Sequence, residues 1–385
     1  GDSYPGSVLA NSTGFDITST GINDLSDNGG TYASWTFRKA PKFFTCLTYS
    51  GTGPGSGANE QQVSHDLGAK PGIVMIKRTD ATGDWWVFTD VIDGSNDYGY
   101  LNQTAAFGNS ANNVATDSVF SVGGVLNTSG ATYVAYLFAN NDGDGGFNGG
   151  DIIKCGSYTG NGSSTGPEID LGFEPQWLLI KSSTASESWY IINTMSSSGL
   201  RPNATSAETT AFSLNAGSYI GVTSTGFNLT GWTDASLNGS GQTYIYIAIR
   251  RGTKVPESGT EVFAMDTRYS AGSNPAYRSG WPVDMDLVRI IDGTSTWSVQ
   301  DRLRGKLRLN TNSTDAESAW DERYDFNNGW GEATGADPTR FSWMWKRAPG
   351  YFDAVAYTGD GSSGSYAHNL GVVPELKIIK NRSGQ

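Results

Sequence analysis

Two histidines, two cysteines and one dense run of carboxylates are the residues of this 385-residue chain whose types could carry chemistry. His65 and His368 stand in matching words, His65-Asp-Leu-Gly68 and His368-Asn-Leu-Gly371, and a third such word starts at Ile169. A seat that isoleucine can fill asks for a scaffold role, not for an acid, a base or a metal ligand. Two distant histidines give no material for a Ser-His-Asp arrangement or a histidine zinc site. Cys46 and Cys155 each precede a tyrosine by three residues, Tyr49 and Tyr158, so they hold one seat in successive copies of a pattern and are not placed to bond each other. Ala354 takes that seat later, which predicts a small buried apolar residue. The run from Asp315 to Asp325 sets acids beside Trp320, and a glycan-cleaving enzyme needs only two facing carboxylates. No acidic pair is distinguished by its surroundings, and a solvated loop is the plainer reading. Asn140 to Gly146 resembles half a calcium loop, with Asp142 and Asp144 spaced to share an ion, yet it lacks the later bidentate glutamate. A flexible acidic linker is the favoured reading. The expectation is no catalytic residue, no cofactor and no metal beyond that weak Asp142/Asp144 candidate.

The elements that would position any site come from an internal repeat. Trp35-Thr-Phe-Arg-Lys-Ala-Pro41 returns 308 residues later as Trp343-Met-Trp-Lys-Arg-Ala-Pro349. An aromatic-Ser/Thr-Gly turn recurs at Tyr49–Gly51, Tyr158–Gly160 and Tyr357–Gly359. A Leu-Gly-x-x-Pro word then leads into apolar runs ending in lysine: Ile73–Lys77, Trp177–Lys181 and Leu376–Lys380. A third copy is divergent, with Pro282 and Leu287–Ile291 in the matching places. Tryptophans follow at Trp85, Trp189 and Trp297, and closing strands are expected at 31–37, 132–138, 243–249 and 339–345. The period of roughly a hundred residues is an ordinary domain size. This predicts whole modules at 43–139, 152–250 and 261–346, the last divergent. The closing half of a module is expected at 1–38 and an opening half at 351–385. Such ends suit a fragment of a longer polypeptide; half modules that complete each other, within a ring or between chains, are the alternative.

Composition fits an all-β protein: 51 glycines, 12% aromatic and only 17% charged residues describe short strands joined by small-residue turns. About seven strands per module with turn signals between them point to antiparallel sandwiches. Helical turns are expected only at 314–318 and 205–208, on the surface. The run Tyr244–Ile249 is apolar on both faces, which predicts a central strand or one covered by a neighbouring module. A net charge of −12 and a pI near 4.6 argue against a nucleic-acid partner. No apolar run approaches bilayer length, so membrane insertion is not expected.

Aromatic residues remain as binding candidates. The repeated ones, Trp85, Trp189, Trp297, Tyr49, Tyr158 and Tyr357, are most economically packing residues. Trp86, Trp232, Trp281, Trp320 and Trp330 lack counterparts and could stack on sugar faces, with Trp232 and Trp320 as the leading ligand-binding candidates.

These words together resemble the tandem modules of uncharacterised virion and tail-fibre proteins of bacteriophages, especially marine ones. The residues that carry the resemblance are Tyr357–Gly361, His368–Ser383, Leu307–Glu317, Thr225–Phe227 and Gly130–Phe138. It implies a tandem array of lectin-like or jelly-roll-like antiparallel β-sandwich modules, outside the cell, on a virion. The expected role is a structural tail-fibre or appendage protein, not an enzyme, whose partners are other virion proteins or copies of itself and host-surface glycans. A capsid fibre or decoration of purely structural duty and a secreted carbohydrate-binding array are the alternatives.

Overall fold

The computed structural model describes residues 6–11, 14–19, 32–53, 60–110, 114–140, 151–195, 199–206, 220–252, 254–268, 275–320, 322–332, 339–359 and 361–383. It is all-β, built of antiparallel sheets. After a hairpin of β1 (Gly6–Ala10) and β2 (Phe15–Ser19) come the strands of a first unit: β3 (Phe44–Ser50), β4 (Gln61–Ser64), β5 (Pro71–Arg78), β6 (Trp85–Thr89), β7 (Asp97–Tyr100), β8 (Gly108–Asn109), β9 (Val119–Val122) and β10 (Thr132–Ala139). The second unit holds β11 (Ile153–Thr159), β12 (Glu168–Asp170), β13 (Pro175–Ser182), β14 (Trp189–Asn193), β15 (Gly221–Val222), β16 (Gly226–Asn228) and β17 (Thr243–Arg250). In the third are β18 (Phe263–Thr267), β19 (Tyr277–Arg278), β20 (Met285–Ile290), β21 (Ser298–Asp301), β22 (Leu307–Asn310), β23 (Ser318–Ala319), β24 (Glu322–Arg323), β25 (Gly329–Glu332) and β26 (Arg340–Trp345).

The large sheets run β3-β10-β5-β6-β7-β8, β11-β17-β13-β14 and β18-β26-β20-β21-β22-β23. In each, the last strand of the unit lies between the first strand and the strand that follows the proline. Each large sheet has a smaller companion: β4-β9, β12-β16-β15 and β19-β25-β24. The repeated words explain the common order. The glycine of Leu-Gly-x-x-Pro takes a left-handed turn at Gly68, Gly172 and Gly371 (φ 69°, 75° and 72°), and Pro71 and Pro175 then open strands. The stacked pairs Tyr49–Tyr133 (4.9 Å) and Tyr158–Tyr244 (5.0 Å) sit across the first and last strands, and the first tyrosine of each donates its hydroxyl to Leu126 O or Leu237 O at 2.9 Å.

Period-2 alternation sends one face of each large sheet inward. Tyr133, Ala135 and Leu137 pack with Val63, Phe120 and Val122 in the first unit; Tyr244, Tyr246 and Ala248 pack with Ile169, Val222 and Phe227 in the second. The opposite faces of these two sheets cover each other. Phe44, Ile73, Met75, Val87 and Phe138 share one continuous core with Ile153, Cys155, Leu179, Trp189, Ile245, Ile247 and Ile249. The β17 strand is therefore both central and covered on both faces, as its apolar pattern required. A Cβ on Gly72 would stand 2.5 Å from that of Cys155, so the contact between the sheets is tight there.

Several expectations are corrected. Residues 32–39, 353–359 and 374–381 form no strand, because an extended segment becomes one only when a neighbour pairs its amides and carbonyls. No helical turn forms at 314–318, where Ser318 opens β23. At 205–208 the described residues 205 and 206 are not helical, and 207–208 lie outside the described residues. Among the described residues an α-helix forms instead at α1 (Ala235–Asn238), started by Asp234 accepting from the Ser236 amide at 2.8 Å. The third core is small and polar: Asp286 and Gln300, both fully buried, face into it from β20 and β21.

Between the first two sheets lies Lys181, fully buried, donating from Nζ to Ser182 O (2.5 Å) and Ala185 O (3.2 Å). Burial lowers its pKa from 10.5 to about 8, only partly opposed by Glu187. Below pH 8 both folded and unfolded forms carry the proton and the fold bears the burial penalty. Between pH 8 and 10.5 the folded form has released it while the unfolded chain still holds it, so stability rises by up to about 3 kcal/mol. Tyr49 and Tyr158, whose pKa values burial raises, act in the opposite sense above their ordinary range. Denaturant titrations at about pH 7.5 and about pH 9.5 should show the rise, and Lys181→Met should flatten it.

Candidate functional site

Strands β6 and β7 bring three half-buried rings together. Trp86 pairs in register with Tyr100, and Phe88 with Tyr98. The Trp86 ring lies 4.7 Å from Tyr100 and 5.5 Å from Tyr98, which are 6.0 Å from each other. Beside them Asp84 Oδ1 accepts from Asn102 Nδ2 (2.9 Å) and Gln103 Nε2 (2.7 Å), and Asn102 Oδ1 accepts from the Trp85 amide at 2.9 Å. Burial, with Tyr98 and Asp84 nearby, raises the Tyr100 pKa, so its hydroxyl stays a neutral donor and acceptor. Rings bordered by a fixed carboxylate and amides are what binding a sugar face and its hydroxyls requires. The Asn102 part is scaffold: Asn203 and Asn312 accept from the amides of Trp189 and Trp297 in the same way.

A cleft of about 560 Å³ opens where the first two units meet. Asp90 and Asn140 line one side and Lys154, Ser157, Glu168 and Asp170 the other. Asp90 is paired with Lys70. Acceptors outnumber donors here, which suits a hydroxyl-rich or cationic ligand better than an anion.

The expected ligand residues lie apart. Trp232 packs against the second core, and its carbonyl accepts from Asn238 Nδ2 at 2.5 Å. Trp320 lies at the edge of the third large sheet with the Arg308 guanidinium 3.7 Å over its ring. The neighbouring acid Glu317 is bound by Arg382 and Arg304. Asp142 and Asp144 fall outside the described residues. Trp281 and Trp330 are core residues, not loop platforms: Trp330 is fully buried, stacked 4.6 Å from Tyr277, and donates to Ser342 Oγ at 3.0 Å. Their neighbours in the fold, not their loop-like sequence, hide them.

His65 closes a turn. Its Nδ1 accepts from the Leu67 amide (3.3 Å), so Nε2 carries the proton and donates to Thr116 O at 3.2 Å. Burial lowers its pKa, against weaker opposing effects of Thr116 and nearby acids. Both cysteines are free thiols, Cys46 half-buried and Cys155 buried. Among the described residues no group of three or more His, Cys, Asp or Glu is arranged to hold a metal ion.

Sequence reasoning missed a carboxylate pair in the third core. Burial pushes the Asp286 carboxyl well above the usual range, even though the Tyr324 hydroxyl donates to it; Glu332 adds to the push. Glu332 itself is paired with Arg340 at 2.7 Å and Arg268 at 3.7 Å. Carboxylates in such unlike environments are the pattern of an acid and a base. Here Asp286 is wholly buried and Glu332 nearly so, and both are held in hydrogen bonds and ion pairs of the third core. The aliphatic residues Val74 and Leu178 at the matching register in the other sheets gave the only available signal.

Fold and surface define a class: an all-β protein of face-packed sandwiches carrying an aromatic patch and a polar cleft. Residues 4–251, more than half of the chain, match the family described as a domain of unknown function, DUF7483, and the chain belongs to that family. The match ends where β17 ends, so it takes in both units that share the first core. No curated protein and no solved structure matches the chain.

Proposed function

We propose that the chain is a structural component of a bacteriophage virion, a tail-fibre or appendage protein that helps attach the particle to host-surface glycans. The observation that carries a structural role is the shared core: two sandwiches locked face to face, and tied to the third unit by buried ion pairs, make a stiff body suited to bearing load. The resemblance to phage modules supports the virion setting. The Trp86, Tyr98 and Tyr100 patch supports attachment, since weak aromatic sites repeated on one particle gain avidity. Arg308 over Trp320 favours a second reading, a capsid fibre or decoration of purely structural duty, because it occupies a ring that would otherwise serve a sugar. A glycan array probed with the purified chain separates the two. On the attachment reading Trp86→Ala weakens binding about tenfold with the fold intact. An array with no bound glycan, or a variant indistinguishable from the wild type, removes that reading.

A further inference from the structure

We propose that the third unit is a proton-coupled element: its sandwich closes around Asp286 as a neutral carboxylic acid and loosens when that acid ionises, while the first two units do not. The register of the three large sheets carries the inference. Val74 stands opposite Phe88 in the first sheet, and Leu178 stands opposite Ile192 in the second. At the matching place in the third sheet Asp286 stands opposite Gln300, and both are 0% exposed. On its other side Asp286 meets Met344, where Val74 meets Leu137 and Leu178 meets Ala248. The seat accepts aliphatic residues, so neither polar group is there to build the sandwich.

The polar atoms of this core lack partners as a set. The Tyr324 hydroxyl donates to Asp286 Oδ1, but Asp286 Oδ2, both side-chain amide atoms of Gln300, the Tyr277 hydroxyl and Glu332 Oε2 make no hydrogen bond. Tyr277 is fully buried on β19, and Glu332 on β25 is 7% exposed. Among the described residues the cations that face this core are held by other acids. Arg304 binds Asp301 at 2.5 Å and reaches Glu317 at 3.5 Å, while Arg340 and Arg268 hold Glu332. An ionised carboxylate buried without a paired cation is costly, and taking up a proton removes that cost. The proton also makes Oδ2 a donor, which the unpaired oxygens of Gln300 and Glu332 lack. Burial raises the Asp286 pKa well above its ordinary value; Glu332 and Asp301 add to the rise, and Tyr324 and Arg304 oppose it.

A carboxyl whose pKa is higher in the fold than in the open chain stabilises the fold fully below the open-chain value of about 4. That stability drains as pH rises toward the folded value. Over the range in which only the folded form holds the proton, the opening constant of the third unit should rise about tenfold per pH unit. Lys181 in the second unit acts in the opposite sense and at higher pH, above about 8. Nothing in this coupling depends on the virion setting, and absence of glycan binding leaves it standing.

Native-state hydrogen exchange of the purified chain at about pH 5 and about pH 7 tests it. After correction for intrinsic rates, the protection factors of β20 and β21 should fall by between about tenfold and about a hundredfold from the lower pH to the higher, with no fall in β13 and β17. Asp286→Asn, a neutral isostere, should leave β20 and β21 equally protected at both. Asp286→Leu with Gln300→Ile, which rebuilds the Leu178 and Ile192 pair of the second unit, should do the same and serves where Asp286→Asn folds poorly. Protection in the third unit that does not change with pH in the wild type, a neutral variant that keeps the wild-type fall, or an equal fall in β17 overturns the proposal.

Discussion

Replacing Trp189 by alanine is expected to lower the unfolding free energy by on the order of 4 kcal/mol, while the same change at Trp85 or Trp297 lowers it far less. The three tryptophans share a seat. Trp85 stands opposite Lys77 and Trp189 opposite Lys181 in register, and Trp297 lies under the Arg289 guanidinium at 4.9 Å. Trp85 stacks on Tyr136 at 6.0 Å and Trp297 on Trp343 at 5.5 Å, both half-buried. Only Trp189 is covered from above: it is 1% exposed, its Nε1–H donates to Tyr100 O at 2.8 Å, and Phe107 lies 6.1 Å from its ring. Truncation there opens a cavity between two sheets that cannot collapse independently and leaves the Tyr100 carbonyl without its indole donor. Equilibrium denaturation of the three variants checks the ranking; equal losses at all three positions would contradict it.

The second large effect is expected at Arg347. Its guanidinium spans Glu174 of the second unit, at 2.6 Å from Nη1 and 2.5 Å from Nη2, and Asp353 at 2.6 Å from Nε. Its amide donates to Asp284 Oδ2 at 2.8 Å, and Asp284 also meets Arg251 and Arg302. Burial works against the guanidinium's charge, and Glu174, Asp353 and Asp284 outweigh it, so the pKa is raised. Arg347→Ala strands the buried Glu174 carboxylate and should cost about 3–5 kcal/mol. Adding Glu174→Met should return part of that loss, because an apolar pair carries no stranded charge. Denaturation of both variants reads the effect, and a loss below about 1 kcal/mol for Arg347→Ala would mean that the pair is hydrated and weak.

What the sequence made legible was local. The turn tyrosines, the prolines that open β5 and β13 and the tryptophans that open β6 and β14 could be placed because each word fixes its own backbone. What covers a sheet was not legible, since Trp85 and Trp189 sit in similar words and differ only in what lies above them. The strand expected at 31–37 carries the right alternation, yet alternation specifies a face and not a partner. Trp232 and Trp320 were singled out for lacking counterparts, which separates unusual residues from repeated ones without saying whether they are exposed. Trp86 shared that distinction, and only the register of β6 with β7 set Tyr98 and Tyr100 beside it. The acids of the third core were not legible because Asp286 alternates with Asp284 just before the apolar run, a pattern that reads as a solvent-facing approach to the strand.

The central claim is that the first two sheets are one folding unit through a common core. Native-state hydrogen exchange read by mass spectrometry tests it most directly, comparing β10 with β17 in the wild type and in Trp189→Ala. A shared core predicts one opening free energy for both strands and an equal fall in both on truncation. Exchange that quickens in β17 while β10 keeps its protection would contradict it.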